Sequence, residues 1–333
     1  MKTAMSTMNA IAHDRYGEAD ALAPVTLPVP SPGPRDVLVE VEAAALNPAD
    51  VFKMRGQPRV LRLAGGLTRP TVRVRGSDMA GTVVAVGAEV THWRAGDRVF
   101  GEARSGSLAE YALARDDRVA RIPDAVTPAD AAASVMAALA ARDGLAAAGI
   151  APGADATGKR VLVIGASGGI GSFAVQLAKH AGAHVTGVCS GRNADAVRAL
   201  GADGVVDYTR ESVTDLPAWF DVIFDNVGAV PMEELHALTS PTGMVLPNSG
   251  LAGADGGPLM KVLRANARRF LLRRRYRTFL SMPSTAALAE IAGALADGTL
   301  SPLVDAVLPL ARGSEAMSRV ASGHARGKVV VVV

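Results

Sequence analysis

Cysteine is all but missing: Cys189 stands alone in 333 residues. One thiol closes no internal disulfide and supplies no cysteine-rich zinc site, so structural zinc is excluded and a reducing cytoplasm is the expected compartment. Aromatic residues make up only 4%, so the interior has to be built from Ala, Val and Leu rather than from rings. Unbroken apolar runs are lacking too. Residues 161–178 and 235–254 carry no charge, but the first holds Gly165, Gly168, Gly169 and Gly171 and the second holds Pro241 and Pro247. Neither reads as a lipid-facing helix, and residues 1–8 have no apolar segment of the kind a secretory signal needs. The six histidines include no pair at metal-ligand spacing, and their order gives no Ser-His-Asp constellation.

What is present is enough apolar material for two packed domains: 49% hydrophobic against 20% charged, over a length greater than one core usually serves. Residues 36–41 and 82–86 are short β-branched runs broken by Pro and Gly, the pattern of an antiparallel, barrel-type domain. Near Thr127 the texture changes. Thr127-Pro128 reads as a helix start, and 129–148 is rich in alanine and leucine, a strong helix former. Beyond it, apolar strands at 160–164, 184–189, 204–207, 221–226 and 244–247 alternate with helical stretches at 170–181, 194–200 and 232–238. That alternation implies a doubly wound parallel sheet with right-handed crossovers. After Pro283 a helix to Asp297 and strand-like pieces at 304–308 and 328–333 complete the chain. The expected organisation is α/β: a catalytic domain of 1–126 with 283–333, and a dinucleotide-binding domain of 127–282.

The formal charge of +3 conceals a local concentration: Lys261, Arg264, Arg268, Arg269, Arg273, Arg274, Arg275 and Arg277 follow one another without an acid. The remainder of the chain is therefore net negative. Two readings stay open for 264–277, a weak contact with anionic membrane or a solvated helix face near a cofactor phosphate. Nucleic acid is not expected, because no aromatic stacking platform accompanies the arginines.

The strongest chemical signal is the apolar run Val161-Leu162-Val163-Ile164 leading into Gly165-Ala166-Ser167-Gly168-Gly169-Ile170-Gly171 and an amphipathic helix. On the sequence, Gly168 is assigned the tight turn, Gly169 the approach of backbone N–H groups to a pyrophosphate, and Gly171 the close packing of helix on strand. An NAD-selective site places Asp or Glu at the end of the next strand. Here that strand ends Cys189-Ser190-Gly191-Arg192, so the Ser190 hydroxyl and the Arg192 guanidinium are expected to hold a 2′-phosphate, and NADPH is preferred over NADH.

With these motifs go Asn47-Pro48-Ala49-Asp50, Gly76-Ser77-Asp78-Met79-Ala80-Gly81, Gly96-Asp97-Arg98-Val99-Phe100-Gly101, Gly106-Ser107-Leu108-Ala109-Glu110-Tyr111, Leu200-Gly201-Ala202-Asp203 and Gly323-His324-Ala325-Arg326-Gly327-Lys328. In this order they resemble the zinc-free quinone oxidoreductase branch of the medium-chain dehydrogenase/reductase superfamily, over residues 8–333. The resemblance implies a GroES-like catalytic domain with an inserted Rossmann domain and an active site in the cleft between them. It also implies cofactor contacts from the 166–171 turn, from Ser190, Arg192 and Tyr208 at the phosphate end, from Asn226 and Val227, from Ser249 and Gly250 near the nicotinamide, and from Lys328. A homodimer is implied by the same analogy.

Zinc alcohol dehydrogenases similar to this fold carry Cys at the position of Asn47 and His-Glu at Ser77-Asp78. Loss of thiolate and imidazole together removes the Lewis acid for simple alcohol oxidation. Hydride delivery to an acceptor that spreads the arriving charge is left: a quinone, or an alkene conjugated to a carbonyl. Asn47 is the leading candidate donor to the oxygen where charge develops. Asp50 either orients the loop or substrate, or only stabilises the turn after Pro48. The chain departs from the family pattern at Phe52, where a loop tyrosine is usual, and at Ala140, where threonine is. Segment 59–75, with Leu61, Leu63, Leu67 and Val72, is expected to form the rim of an apolar substrate cleft. A specialised enone reductase of a biosynthetic pathway, and a non-catalytic NADPH-binding sensor or membrane adaptor, are the competing readings.

Overall fold

The structure is a computed structural model that describes residues 7–248 and 276–333. The chain divides into two compact units, Met1–Leu139 with Met282–Val333, and Ala140–Ser281. The division falls inside the alanine-rich helix Pro128–Ala147 rather than ahead of it.

The first unit is built on a seven-stranded sheet. Its strands are β3 (Asp36–Leu46), β4 (Asp78–Val86), β5 (Arg98–Glu102), β6 (Tyr111–Arg115), β7 (Val119–Arg121), β13 (Val304–Pro309) and β14 (Lys328–Val332), in the order β13-β14-β3-β4-β5-β7 with β6 also on β3. A hairpin of β1 (Thr7–Ala12) and β2 (Ala23–Pro28) stands apart as its own two-stranded sheet. β3 is long because it serves two partners on one side: its first half pairs with β6 and its second half with β14, Val329 lying against Leu46. Both of its faces are covered, Val37, Val39 and Val41 entering one core cluster and Leu38, Ala44 and Leu46 another, so its burial pattern is nearly continuous rather than alternating. The short helices α1 (Pro48–Arg55) and α2 (Arg62–Gly65) follow β3.

The second unit holds a five-stranded, all-parallel sheet of β8 (Arg160–Ile164), β9 (His184–Cys189), β10 (Gly204–Asp207), β11 (Phe220–Asp225) and β12 (Thr239–Pro247), in the order β10-β9-β8-β11-β12. The order reverses between β8 and β11, which places a switch point at the carboxyl end of β8. Helix α3 is Pro128–Ala147; α4 (Gly169–His180), α5 (Ala194–Ala199) and α6 (Met232–Ala237) connect the strands. Strands buried on both faces read as continuous Val, Leu and Ile, and Leu162, Ile164, Val188, Phe220, Ile223 and Val245 share one core cluster. Two further helices, α7 (Thr285–Ala296) and α8 (Gly313–Ala321), belong to the first unit. Among the described residues no helix is long and apolar enough to cross a membrane.

Candidate functional site

In the first unit the end of β3 delivers Asn47 to the start of α1. Asn47 is extended at φ −126° and ψ 156°, and Pro48 supplies the first helical residue, a position where its missing N–H costs nothing. Asp50, one turn into the helix, accepts the Asn47 backbone N–H through Oδ2 at 2.9 Å. Its Oδ1 accepts the Ser77 hydroxyl at 2.6 Å, and Lys53 Nζ donates to the same Ser77 oxygen at 3.0 Å. Both Asp50 oxygens are thus engaged by protein donors, so this carboxylate ties α1 to the start of β4.

The Asn47 side chain is held by two neighbours of opposite character. Its Nδ2 donates to Asp78 Oδ2 at 2.9 Å, and its Oδ1 accepts from Lys328 Nζ at 2.5 Å. An ammonium only donates and a carboxylate mainly accepts, so these neighbours fix which way the amide faces. One Nδ2 hydrogen remains uncommitted. Lys328 also reaches Asp78 Oδ2 at 3.1 Å, and both side chains are almost wholly buried. Burial drives the Asp78 carboxyl above the usual aspartate range, with the Lys328 ammonium and the Asn47 amide offsetting part of that rise. Its second oxygen, Oδ1, has no hydrogen-bond partner among the described residues. Lys328, implied as a cofactor contact, thus has its ammonium on Asn47 and Asp78. Spacing along the chain gave no hint of this, because 281 positions separate the lysine from Asn47.

Beside this network lies a cavity of about 310 Å³, lined by Asp50, Lys53, Val72, Val74, Arg75 and Ser77 among others. The apolar wall expected from segment 59–75 is only partly formed. Leu63 and Leu67 are 75% and 68% exposed and take no part in it, while Lys53 and Arg75 bring charge into the lining. The Leu61 side chain lies outside the described part of the structure.

In the second unit the glycine turn joins β8 to α4. The residue in the left-handed region is Gly165, at φ +78°, so it makes the tight turn that the sequence reading had assigned to Gly168. Gly168 instead has an extended backbone at the N-cap of α4. A Cβ on Gly171 would stand 2.1 Å from the Gly165 carbonyl oxygen, so helix and turn are in contact that only glycine allows. Ala166 is buried; Gly169 and Ile170 open the helix.

Ser167 and Ser190 are bridged by Asn193, whose Nδ2 donates to their hydroxyls at 3.1 and 3.2 Å. Nothing in the glycine motif pointed to Asn193, since the partners lie 26 residues apart. Arg192 is exposed and forms no ion pair among the described residues, and Tyr208 is exposed as well. A carboxylate does stand close to this turn. Asp207, paired with Cys189 in the sheet register, accepts from Thr209 through its backbone N–H and its hydroxyl and from the Gly191 N–H, and these bonds hold it below the usual aspartate range. Asn226 donates to the Ile164 carbonyl and accepts from Asn248, and Val227 N–H is tied to Asp225. Ser249 and Gly250, and the basic residues from Lys261 to Arg275, lie outside the described residues.

Family descriptions match both ends of the chain: "Alcohol dehydrogenase GroES-like domain" over residues 33–124 and "Zinc-binding dehydrogenase" over 200–331. A chloroplastic quinone-oxidoreductase homolog of Spinacia oleracea is 32% identical, covering 98% of this chain and 99% of its own. The mitochondrial NAD(P)H oxidoreductase RTN4IP1 of Homo sapiens is 32% identical over 98% of this chain and 90% of its own. A 2-methylene-furan-3-one reductase of Solanum lycopersicum is also 32% identical, over 98% and 79%. Among solved structures, the quinone oxidoreductase of Coxiella burnetii superposes with a TM-score of 0.85 at 26% identity, over 98% of this chain and 99% of that one.

Proposed function

The chain belongs to the quinone oxidoreductase branch of the medium-chain dehydrogenase/reductase superfamily, and from that premise we propose that it reduces a quinone, or an alkene conjugated to a carbonyl, with NADPH and without zinc. The observation that carries the reading is the Lys328–Asn47–Asp78 cluster. A zinc ion of the alcohol dehydrogenase type needs soft or imidazole donors. Asn47, Ser77 and Asp78 offer an amide, a hydroxyl and a carboxylate, and an ammonium already stands 3.1 Å from that carboxylate. The donor set does not fit the metal, so no step is routed through one.

The nicotinamide cofactor does fit. The close approach at Gly171, the left-handed Gly165 and the free N-terminus of α4 form a cradle into which a Cβ would intrude, suited to a pyrophosphate. Ser167, Gly168, Gly169 and Ile170 would hold the pyrophosphate, Ser190, Arg192 and Tyr208 the 2′-phosphate, and Asn226 and Val227 the far side. Among the described residues Arg192 has no partner to give up, whereas Asp207 is occupied by its own turn; together these favour the phosphorylated cofactor. NADPH when bound supplies a hydride. One hydride and one proton convert a quinone to a hydroquinone, or an enone to a saturated carbonyl.

The chain's own residues then act on the acceptor. Asn47, locked in orientation, offers its remaining N–H to the acceptor oxygen where charge gathers, and the adjacent Lys328 ammonium makes that amide a stronger donor. Lys53, on the cavity wall, is the group that would pass a proton inward, in place of the loop tyrosine that Phe52 replaces. The tomato relative's printed activity keeps enone reduction beside quinone reduction as the second reading. The lone cysteine suits a cytoplasmic location, and a homodimer completes the proposal.

The test is anaerobic oxidation of NADPH, with NADH in parallel, against ortho- and para-quinones, enones and enals, alongside a cofactor titration. Turnover with NADPH preferred supports the reading. Tight NADPH binding with no acceptor reduced would favour the sensor alternative, and failure to bind either nucleotide would overturn the proposal.

A further inference from the structure

Arg75 has no task in the reaction just described. It immediately precedes Gly76-Ser77-Asp78 and is only 7% exposed, yet no hydrogen-bond acceptor reaches its Nε and no carboxylate of the described residues forms an ion pair with it. Burial pulls its guanidinium below the usual arginine range, and Asp50 offsets part of that fall without pairing with it. An unpaired charge in such a place is costly. The acid that acts on it is already taken, since Asp50 spends one oxygen on the Asn47 N–H and the other on the Ser77 hydroxyl. Arg104, which also lines the cavity, is satisfied differently: it grips Asp36 with Nη1 at 2.9 and 2.8 Å.

Arg75 therefore opens on the 310 Å³ cavity as a buried cation lacking its anion. We propose that this cavity takes an acceptor bearing a carboxylate, and that the guanidinium of Arg75 holds it. A single free guanidinium fork matches the two oxygens of a planar carboxylate. The remaining wall, Val72 and Val74 with Lys53 already turned to Ser77, suits a small, partly apolar body rather than a phosphate dianion in need of further donors. The preferred substrates are thus acidic enones or quinones, not wholly apolar ones. The inference rests on the reading that the acceptor lies beside Asn47.

The experiment uses 4-oxopent-2-enoate, an enone with a carboxylate, and its methyl ester. Calorimetric titration into the NADPH-loaded protein measures binding without requiring turnover, and kcat/KM is measured separately for each compound. The ester is the better electrophile, so preference for the acid runs against intrinsic reactivity. The wild type is expected to favour the acid at least tenfold, and Arg75→Met to shrink that ratio at least tenfold, the scale of a charge-assisted hydrogen bond. Arg75→Lys keeps the charge but loses the fork, and an intermediate ratio is expected. It also stands in if Arg75→Met does not fold. Arg75-dependent binding of the acid without reduction of either compound would uphold the carboxylate site and count against enone reduction alone, the quinone panel deciding the reductase reading. Equal binding of acid and ester, a ratio indifferent to Arg75, or Arg75-dependent binding of inorganic phosphate in preference to the acid would each overturn the inference, leaving quinone reduction to be judged on neutral acceptors.

Discussion

At the scale of single residues, the buried Lys328–Asp78 pair makes the sharpest demands. Removing one partner strands the other charge, so Lys328→Met is expected to destabilise the protein by about 3–5 kcal/mol, and Lys328→Met with Asp78→Leu to recover much of it. Urea melts of the two variants decide this. Asn47→Ala removes the oriented amide and is expected to lower kcat on quinones by about 10²–10³-fold with a smaller change in KM. His13 gives a pH signature. Burial first, and the Arg75 charge second, hold its imidazole below 6.5. The folded protein then binds fewer protons here than the unfolded chain, so this contribution is intact above pH 6.5 and is lost as pH falls from there through the folded pKa. A histidine NMR titration should show His13 moving up in Arg75→Met; an unmoved resonance would contradict the coupling.

At the scale of elements, two glycines that look alike in the sequence behave differently. Gly171→Ala drives a Cβ to 2.1 Å from a carbonyl oxygen, so loss of about 1–3 kcal/mol and weaker NADPH binding are expected. Gly293 lies inside α7 with open space where its Cβ would be, so Gly293→Ala should stabilise by about 0.4–1 kcal/mol. Thermal melts of the pair read both signs. The elements themselves were largely legible. The continuous Val161–Ile164 run marked β8 closely because buried parallel strands leave that imprint, shorter apolar stretches marked β9 and β11 despite Thr186, Gly187 and Asp221, and alanine and leucine marked α3. The work of Gly165 was not legible, because which glycine of a turn takes positive φ depends on how the helix docks back on it. Arg75 was read as part of an apolar rim for a related reason: whether a cation finds an acid is decided by folding, not by its neighbours in sequence.

At the scale of the molecule, the chain forms two units around separate cores, and on the proposed reading one holds the cofactor and the other the acceptor. NADPH at a hundred times its Kd is expected to raise stability by about 2.7 kcal/mol, and Arg192→Ala to remove most of the advantage of NADPH over NADH. Paired titrations with the two nucleotides check both. The first unit is assembled from pieces far apart in the chain, which local patterns could not announce. Asn47 and Asp78 come early, and their ammonium arrives with β14, whose Val329–Val332 pair with Ala43–Leu46.

That arrangement sets an order of events on the ribosome. The Asn47–Asp78 pocket is synthesised first but stays without its cation until the whole of the second unit has been made and strand Lys328–Val332 has emerged. The inserted unit, whose sheet strands all lie between Arg160 and Pro247, can take shape during that delay. A chain stalled before residue 328 is therefore expected to carry a folded second unit and a first unit still short of its cation, a species that on the proposed reading binds cofactor but spends none of it.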